Sequence, residues 1–191
     1  MTETQSKFTK KVVWTTVFIF CIRCFISGTK IITDFSIYDL YGYTGEAISI
    51  AALLMFAYEK ILWKYNPLEK TPVLKKRYKG SLLSTYDGIE REATLEIKQT
   101  LLSINVVFTT GESRSKSISS SIEKIQDEWQ LTYCYLNVPK AKVRDRSAIH
   151  YGTALLCIEN PEEIQGQYFT DRKTTGDMTF SQNSNKKQQA S

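Results

Sequence analysis

One histidine, His150, is all that the 191-residue chain offers. That excludes multi-histidine metal centres and leaves little scope for imidazole acid–base chemistry. Four cysteines are too few for a disulfide scaffold in a chain of this length. Four prolines and nine glycines rule out collagen-like and low-complexity architectures. There is no G-x-S-x-G, no H-E-x-x-H, no phosphate-cradling glycine-rich loop and no Cys/His cluster. The one obvious acidic pair, Glu162-Glu163, follows Pro161 in a turn and reads as solvated surface. Neither a catalytic centre nor a resident metal or cofactor is expected. The net charge is only +5, and residues 74–181 hold 15 Lys and Arg against 14 Asp and Glu. Such a balance argues against a DNA or RNA polymer as partner, because polymer binding rests on a concentrated positive field.

What the chain has instead is a sharp division of polarity. Residues 12–32 carry only Arg23 and Lys30 as charges, and residues 47–58 form an uninterrupted apolar core within a second segment, 44–63. A helix needs about 20 residues to cross a bilayer. The segment 12–65 therefore predicts a transmembrane hairpin, with helices over about 12–32 and 44–63 behind a short tail, 1–11. Lys7, Lys10, Lys11, Lys60 and Lys64 flank the open ends, whereas the linker 33–46 contains Asp34, Asp39 and Glu46 and no cation. The positive-inside rule then places both termini in the cytoplasm. Arg23, near the middle of the first helix, has two readings. It either snorkels or pairs with Glu59, or it serves as a polar contact when hairpins assemble. Cys21-x-x-Cys24 is an i, i+3 pair of small residues inside that helix rather than a redox motif.

Beyond Pro72 the period of the hydrophobic pattern becomes two. Candidate strands cover 75–86, 92–100, 102–110, 113–122, 128–137, 147–159, 163–172 and 177–182, with turn residues such as Asp87-Gly88 and Asn160-Pro161 between them. No segment reads as a helix that would cover a sheet. About eight antiparallel strands must then stack or close on themselves, and a small closed barrel over 72–182 removes exposed edges. The expected fold is a membrane-anchored all-β protein, two helices followed by an eight-stranded barrel. The polar stretch 183–191 reads as a disordered tail.

Several same-face series in this region suit a ligand. Ser113, Ser115, Ser117, Ser119 and Ser121 alternate along one strand. They supply either hydroxyls for a ligand's oxygens or a layer of small residues that lets a barrel curve. Tyr133 and Tyr135 share a face with Trp129 and are either core or stacking platforms for bases. Tyr168, Thr170 and Arg172 end in a guanidinium suited to bidentate phosphate recognition, or to an ordinary salt bridge. His150 sits among small residues, where a structural hydrogen bond competes with a ligand role. The run Lys140, Lys142, Arg144 and Arg146 is read first as solvated, with contact to anionic lipid headgroups or steering of an anionic ligand as the alternatives.

Taken in order, Tyr78-x-Gly80, Ser84-x-Tyr86, Ser115-x-Ser117, Tyr133-x-Tyr135-x-Asn137-x-Pro139, His150-x-Gly152-Thr153, Gly166-x-Tyr168, Arg172 and Gly176 follow two candidate membrane helices. This arrangement resembles the two-transmembrane β-barrel effectors of bacterial antiphage defence, found in cyclic-oligonucleotide-based signalling (CBASS) operons. The resemblance implies a cytoplasmic barrel that binds a cyclic di- or oligonucleotide made by a cognate nucleotidyltransferase. It implies too that the protein forms a homo-oligomer in the inner membrane, whose helices disrupt the bilayer and abort infection. It assigns the ligand contacts to Tyr78, Ser84, Tyr86, Ser115, Ser117, Tyr133, Tyr135, His150, Thr153, Tyr168 and Arg172, and Arg23 is the residue expected to act in membrane assembly. Related Panoptes effectors imply the opposite polarity, in which a small CRISPR-type polymerase supplies a nucleotide that restrains the effector until phage deplete it. Two other readings stay open, a tethered lipid-binding barrel and a structural subunit with a filled core.

Overall fold

The computed structural model describes residues 3–28 and 36–182. Two helices, α1 (Glu3–Ile26) and α2 (Ile37–Lys60), are followed by eight strands. These are β1 (Arg77–Ser84), β2 (Glu90–Gln99), β3 (Ile104–Thr110), β4 (Ser113–Ile125), β5 (Glu128–Pro139), β6 (His150–Asn160), β7 (Glu163–Thr170) and β8 (Thr175–Ser181). The helices with residues 100–102 form one compact unit and the barrel forms another.

In the helical unit, α2 starts seven residues before the expected 44, because Ser36 caps it by accepting a hydrogen bond from the Tyr38 amide. Tyr38, Asp39, Tyr41 and Tyr43, expected in a linker, are therefore helical. Helix α1 likewise begins well before residue 12 and takes Lys7, Lys10 and Lys11 into its first turns. Among the described residues, only α2 is both long and apolar enough to cross a membrane. The expectation of two such spans is thus met by one, since the cations drawn into α1 leave it more polar than the sequence window suggested. Arg23 does not pair with Glu59. Its Nε donates to Glu46 Oε2 at 2.6 Å, and its guanidinium lies 4.6 Å from the centroid of the Tyr43 ring. Glu59 instead faces Lys60. Lys30 and the expected tail 183–191 lie outside the described residues.

The barrel closes in simple up-and-down order, each strand antiparallel to the next, with β8 returning to β1 through pairs from Lys79–Ser181 to Ser84–Gly176. Alternation along the strands explains the core. In β3 the side chains of Ile104, Val106, Phe108 and Thr110 are buried, while their neighbours are less so. Inward-facing side chains fill one half of the barrel, where Leu95, Leu131, Leu156, Ile164 and Phe180 are essentially inaccessible. Phe108 and Phe180 meet edge-on, with centroids 6.1 Å apart. At this closed end the Tyr78 hydroxyl donates to the Pro161 carbonyl at 2.8 Å and accepts from the Lys75 amide at 2.9 Å. It ties the incoming chain to the β6–β7 turn. The opposite end, where β1 finishes and β2 begins, is polar and open.

One irregularity redirects side chains. The β4–β5 register slips between Ser117 and Ser119. A bulge adds one residue and inverts the alternation beyond it. Ser113, Ser115 and Ser117 face inward, but Ser119 pairs with Cys134 and Ser121 with Thr132, on the outer face. Ser120 takes the inward position opposite Tyr133. The expected five-serine face is therefore broken after its third member.

Candidate functional site

The open end of the barrel holds a cavity of about 130 Å³. Its wall comes from the mouth-proximal ends of all eight strands. Leu82, Phe108, Met178 and the rings of Tyr133, Tyr135 and Tyr168 give it apolar and aromatic sides. Ser84, Thr110, Ser113, Ser115, Asn137, His150 and Thr174 supply polar groups. The rim bears Arg91, Glu112, Arg146 and Arg172.

Two glycines make room for the tyrosines. Tyr135 pairs across the strands with Gly152, and a Cβ there would sit 2.4 Å from the phenol's Cζ and oxygen. Tyr168 pairs with Gly176, where a Cβ would lie 2.6 Å from the ring. Each ring therefore lies over a bare stretch of backbone. The polar groups behind these rings are ordered. Tyr168 donates to Ser84 Oγ at 2.9 Å, and Ser84 also accepts from the Tyr86 amide at 3.2 Å. Neither bond uses the Ser84 proton, which is free to donate. Ser115 donates to Asn137 Oδ1 at 2.8 Å. His150 Nδ1 lies 2.9 Å from the Ala148 carbonyl, a contact that requires Nδ1–H, and its Nε2 lies 3.5 Å from Asn137 Nδ2. Tyr133 differs from the rest. It is 1% exposed, and its hydroxyl is buried with no partner among the described residues. Burial raises the phenol ionisation of Tyr133 and Tyr135 well above the usual range.

The rim is held by guanidinium groups that reach from turn to turn. Arg91 hydrogen-bonds both carboxylate oxygens of Asp87 in the β1–β2 turn. This contact, ahead of all others, lowers the Asp87 ionisation to about 2. Arg91 Nε also lies 3.7 Å from Glu112 in the β3–β4 turn. Glu112 in turn accepts from Arg146, on the β5–β6 connection. That connection includes a short 3-10 turn, Ala141–Val143, whose Val143 is buried against the cavity. Its start is fastened by the Lys140 amide to the Glu112 carbonyl at 2.9 Å. Arg172, after β7, donates to Ser147 Oγ at 3.2 Å and reaches the Arg146 carbonyl at 3.5 Å.

Of the residues singled out in the sequence, Ser84, Tyr86, Ser115, Tyr133, Tyr135, His150, Tyr168 and Arg172 line this one cavity. Three do not. Tyr78 belongs to the closed end. Ser117 lies at the bulge and accepts from the Val106 amide at 2.9 Å. Thr153 pairs with Phe169 on the outer face, its hydroxyl 3.4 Å from Cys134 Sγ. Alternation from the inward-facing Gly152 and Ala154 already turns Thr153 outward. Arg91, Glu112, Asn137 and Arg146 at the cavity had drawn no site assignment. Arg146 stood in a charge run read as solvated, and Arg91 and Glu112 become neighbours of the mouth only through the β2–β3–β4 pairing.

Residues 69–182, more than half of the chain, match the family described as "Cap15, cyclic dinucleotide receptor domain". The chain is also similar to CD-NTase-associated protein 15 of Staphylococcus schleiferi, at 29% identity over 170 residues that cover 86% of this chain and 90% of that protein. The matched segment contains the whole barrel and every residue of the mouth. The protein thus belongs to the Cap15 cyclic dinucleotide receptor family, the CBASS effectors that its ordered motifs resemble.

Proposed function

We propose that the barrel mouth binds a cyclic dinucleotide messenger and that occupancy controls assembly of the helical segment, leading to membrane disruption and abortive infection. The observation that carries the reading is a ring of three arginines around a tyrosine-walled cavity at the polar end of an otherwise filled barrel. Guanidinium groups recognise phosphodiesters, and tyrosine rings stack on bases. A cavity of about 150 Å³ lined by apolar side chains accommodates a benzene ring, so a space of about 130 Å³ takes one ring-sized group. The deep part then receives part of one base, while the sugar–phosphate ring rests at the rim among the arginines. Ser84, with its uncommitted proton, and Tyr133, with its unpaired hydroxyl, are the polar groups that meet the base. Ser115, Tyr135, His150 and Tyr168 frame it, and Arg172 takes a phosphate.

The helices support the second half of the proposal. Leu53 is 73% exposed and Phe56 64% exposed, so α2 presents large apolar side chains that need lipid or another helix to cover them. A messenger shifts assembly only if it binds one assembly state more tightly than the other. Clustered copies would bring several Arg23–Glu46 pairs together, where polar groups in a bilayer draw in water.

The test is a thermal-shift panel of the full chain in detergent against cyclic di-AMP, cyclic di-GMP, cyclic GMP–AMP and cyclic di-UMP, paired with dye leakage from vesicles carrying the protein. Ligand at 100 times its Kd stabilises by about 2.7 kcal/mol, a readily measured shift. Arg172→Ala removes most of that shift at the same concentration. If no cyclic dinucleotide shifts the melt while a fatty acid does, the mouth is a lipid site and the reading fails.

A further inference from the structure

The rim carries its own anion. Glu112 stands between Arg91 and Arg146, with one carboxylate oxygen on each. Arg91 is already satisfied by Asp87, which is not among the residues lining the cavity. Among the described residues Glu112 is the carboxylate that hydrogen-bonds Arg146, with Asp87 acting on it only through longer-range charge, and Arg172 meets a hydroxyl and a carbonyl. Two guanidinium groups therefore remain to face a ligand once Glu112 is set aside. A cyclic dinucleotide carries two phosphodiester charges.

We propose that Arg146 and Arg172 are the two phosphate subsites of the mouth, and that Glu112 occupies the first of them as a built-in surrogate for a ligand phosphate. The inference rests on the messenger reading above and names the groups that carry it. A carboxylate and a phosphodiester compete for the same planar fork of N–H donors. When a phosphate displaces Glu112, the β3–β4 turn loses one side-chain hold on the β5–β6 connection, while the Lys140 amide stays on the Glu112 carbonyl and Lys140 Nζ on the Gly111 carbonyl. The connection is then loosened at one point and not released. A ligand with one phosphate displaces Glu112 for one new ion pair, whereas a ligand with two gains a second at Arg172. Glu112 thereby weakens any phosphate at the first subsite by the same factor, and the ligand with two phosphates recovers affinity at Arg172.

The test is a double-mutant cycle on the full chain in detergent, with the same four cyclic dinucleotides and AMP as probes, at fixed ionic strength. Glu112→Gln keeps one oxygen for Arg146 and removes the competing charge. It should tighten the dinucleotide Kd by about three- to tenfold, the range that exposed and partly exposed charge pairs support. AMP placed at the same subsite should gain by a similar factor, leaving the selectivity unchanged. Arg146→Ala should weaken dinucleotide binding, and in the double variant the benefit of Glu112→Gln should disappear. Glu123→Gln makes the same charge change on an exposed stretch of β4 at the closed end and should alter neither Kd. Unchanged or weaker binding in Glu112→Gln, or a gain that persists without Arg146, overturns the surrogate role while leaving the messenger reading intact. Failure of the wild type to bind any probe overturns both.

Discussion

Two tyrosines, each essentially inaccessible, should respond in opposite ways to loss of the same oxygen. Tyr78 is 0% exposed and its hydroxyl makes two hydrogen bonds, to the Pro161 carbonyl and from the Lys75 amide. Tyr78→Phe strands both backbone groups, and an unsatisfied buried group costs about 1–3 kcal/mol. Some solvent reaches this part of the chain, so the expected loss is about 2 kcal/mol in total. Tyr133 is 1% exposed and its hydroxyl has no partner among the described residues. Tyr133→Phe removes a desolvated oxygen and leaves nothing unpaired, so stability should hold or rise by up to about 1 kcal/mol. The gap of about 2–3 kcal/mol corresponds to roughly 8–12 °C in Tm, taking about 4 °C per kcal/mol for a domain of this size. The measurement is thermal unfolding of the full chain in detergent, followed by near-ultraviolet circular dichroism. Amide exchange at Lys75 should quicken in Tyr78→Phe alone. If Tyr133→Phe costs as much as Tyr78→Phe, the Tyr133 hydroxyl has a strong partner and the reasoning is wrong. In the same variant, dinucleotide binding should weaken although the fold is no less stable.

Gly152→Ala should destabilise by about 1–3 kcal/mol, the usual cost of overpacking, and should weaken ligand binding. A Cβ at 2.4 Å drives the Tyr135 ring from its place, and the companion variant Gly152→Ala/Tyr135→Ala should regain stability in the same melt. Acid should loosen the rim. Asp87 titrates at about 2 in the folded chain against about 3.9 when unfolded. Its contribution is therefore present above about pH 4 and lost as pH falls toward 2, and Asp87→Asn should flatten that part of a stability–pH curve. Alkali acts with the opposite sign. Tyr78, Tyr133, Tyr135 and Tyr168 ionise less readily than a free phenol because burial disfavours the charge. Stability should then fall as pH rises above about 10. Absorbance at 295 nm should show these four ionising only with unfolding, and early ionisation of all 11 tyrosines would refute it.

The barrel was legible because one-sided alternation persists through segment after segment, and no covering helix competes with closure. Tyr133, Tyr135 and Tyr168 could be placed on inward faces for the same reason. Several features escaped. The bulge at Ser117 leaves no local trace, since serines stand on both sides of it and either parity reads alike. The hairpin between β4 and β5 falls where the pattern put a break, but β4 runs to Ile125 rather than 122, and the turn at Gln126 and Asp127, both at positive φ, has no glycine to mark it. Tyr78 is inward and aromatic like the mouth tyrosines, but which end of a barrel is open depends on how the strands pair, and that is invisible in a string. Arg91 and Arg146 escaped likewise, because a charge gains its meaning from neighbours that are far away in the chain. In the helical segment the hydropathy marked apolar cores and not helix ends, which capping by Ser36 moved outward.

The chain joins the barrel at one rim and the cavity opens at the other. The eight residues of β1 between them, at about 3.3 Å each, put roughly 26 Å of sheet in the way. A wall with no free edge resists bending, so a small molecule seated at the far rim has poor leverage on the start of β1. Its reach is lateral instead, toward whatever lies beside that rim. The barrel is then better understood as a coupling face offered to its neighbours than as a lever acting along its own strands.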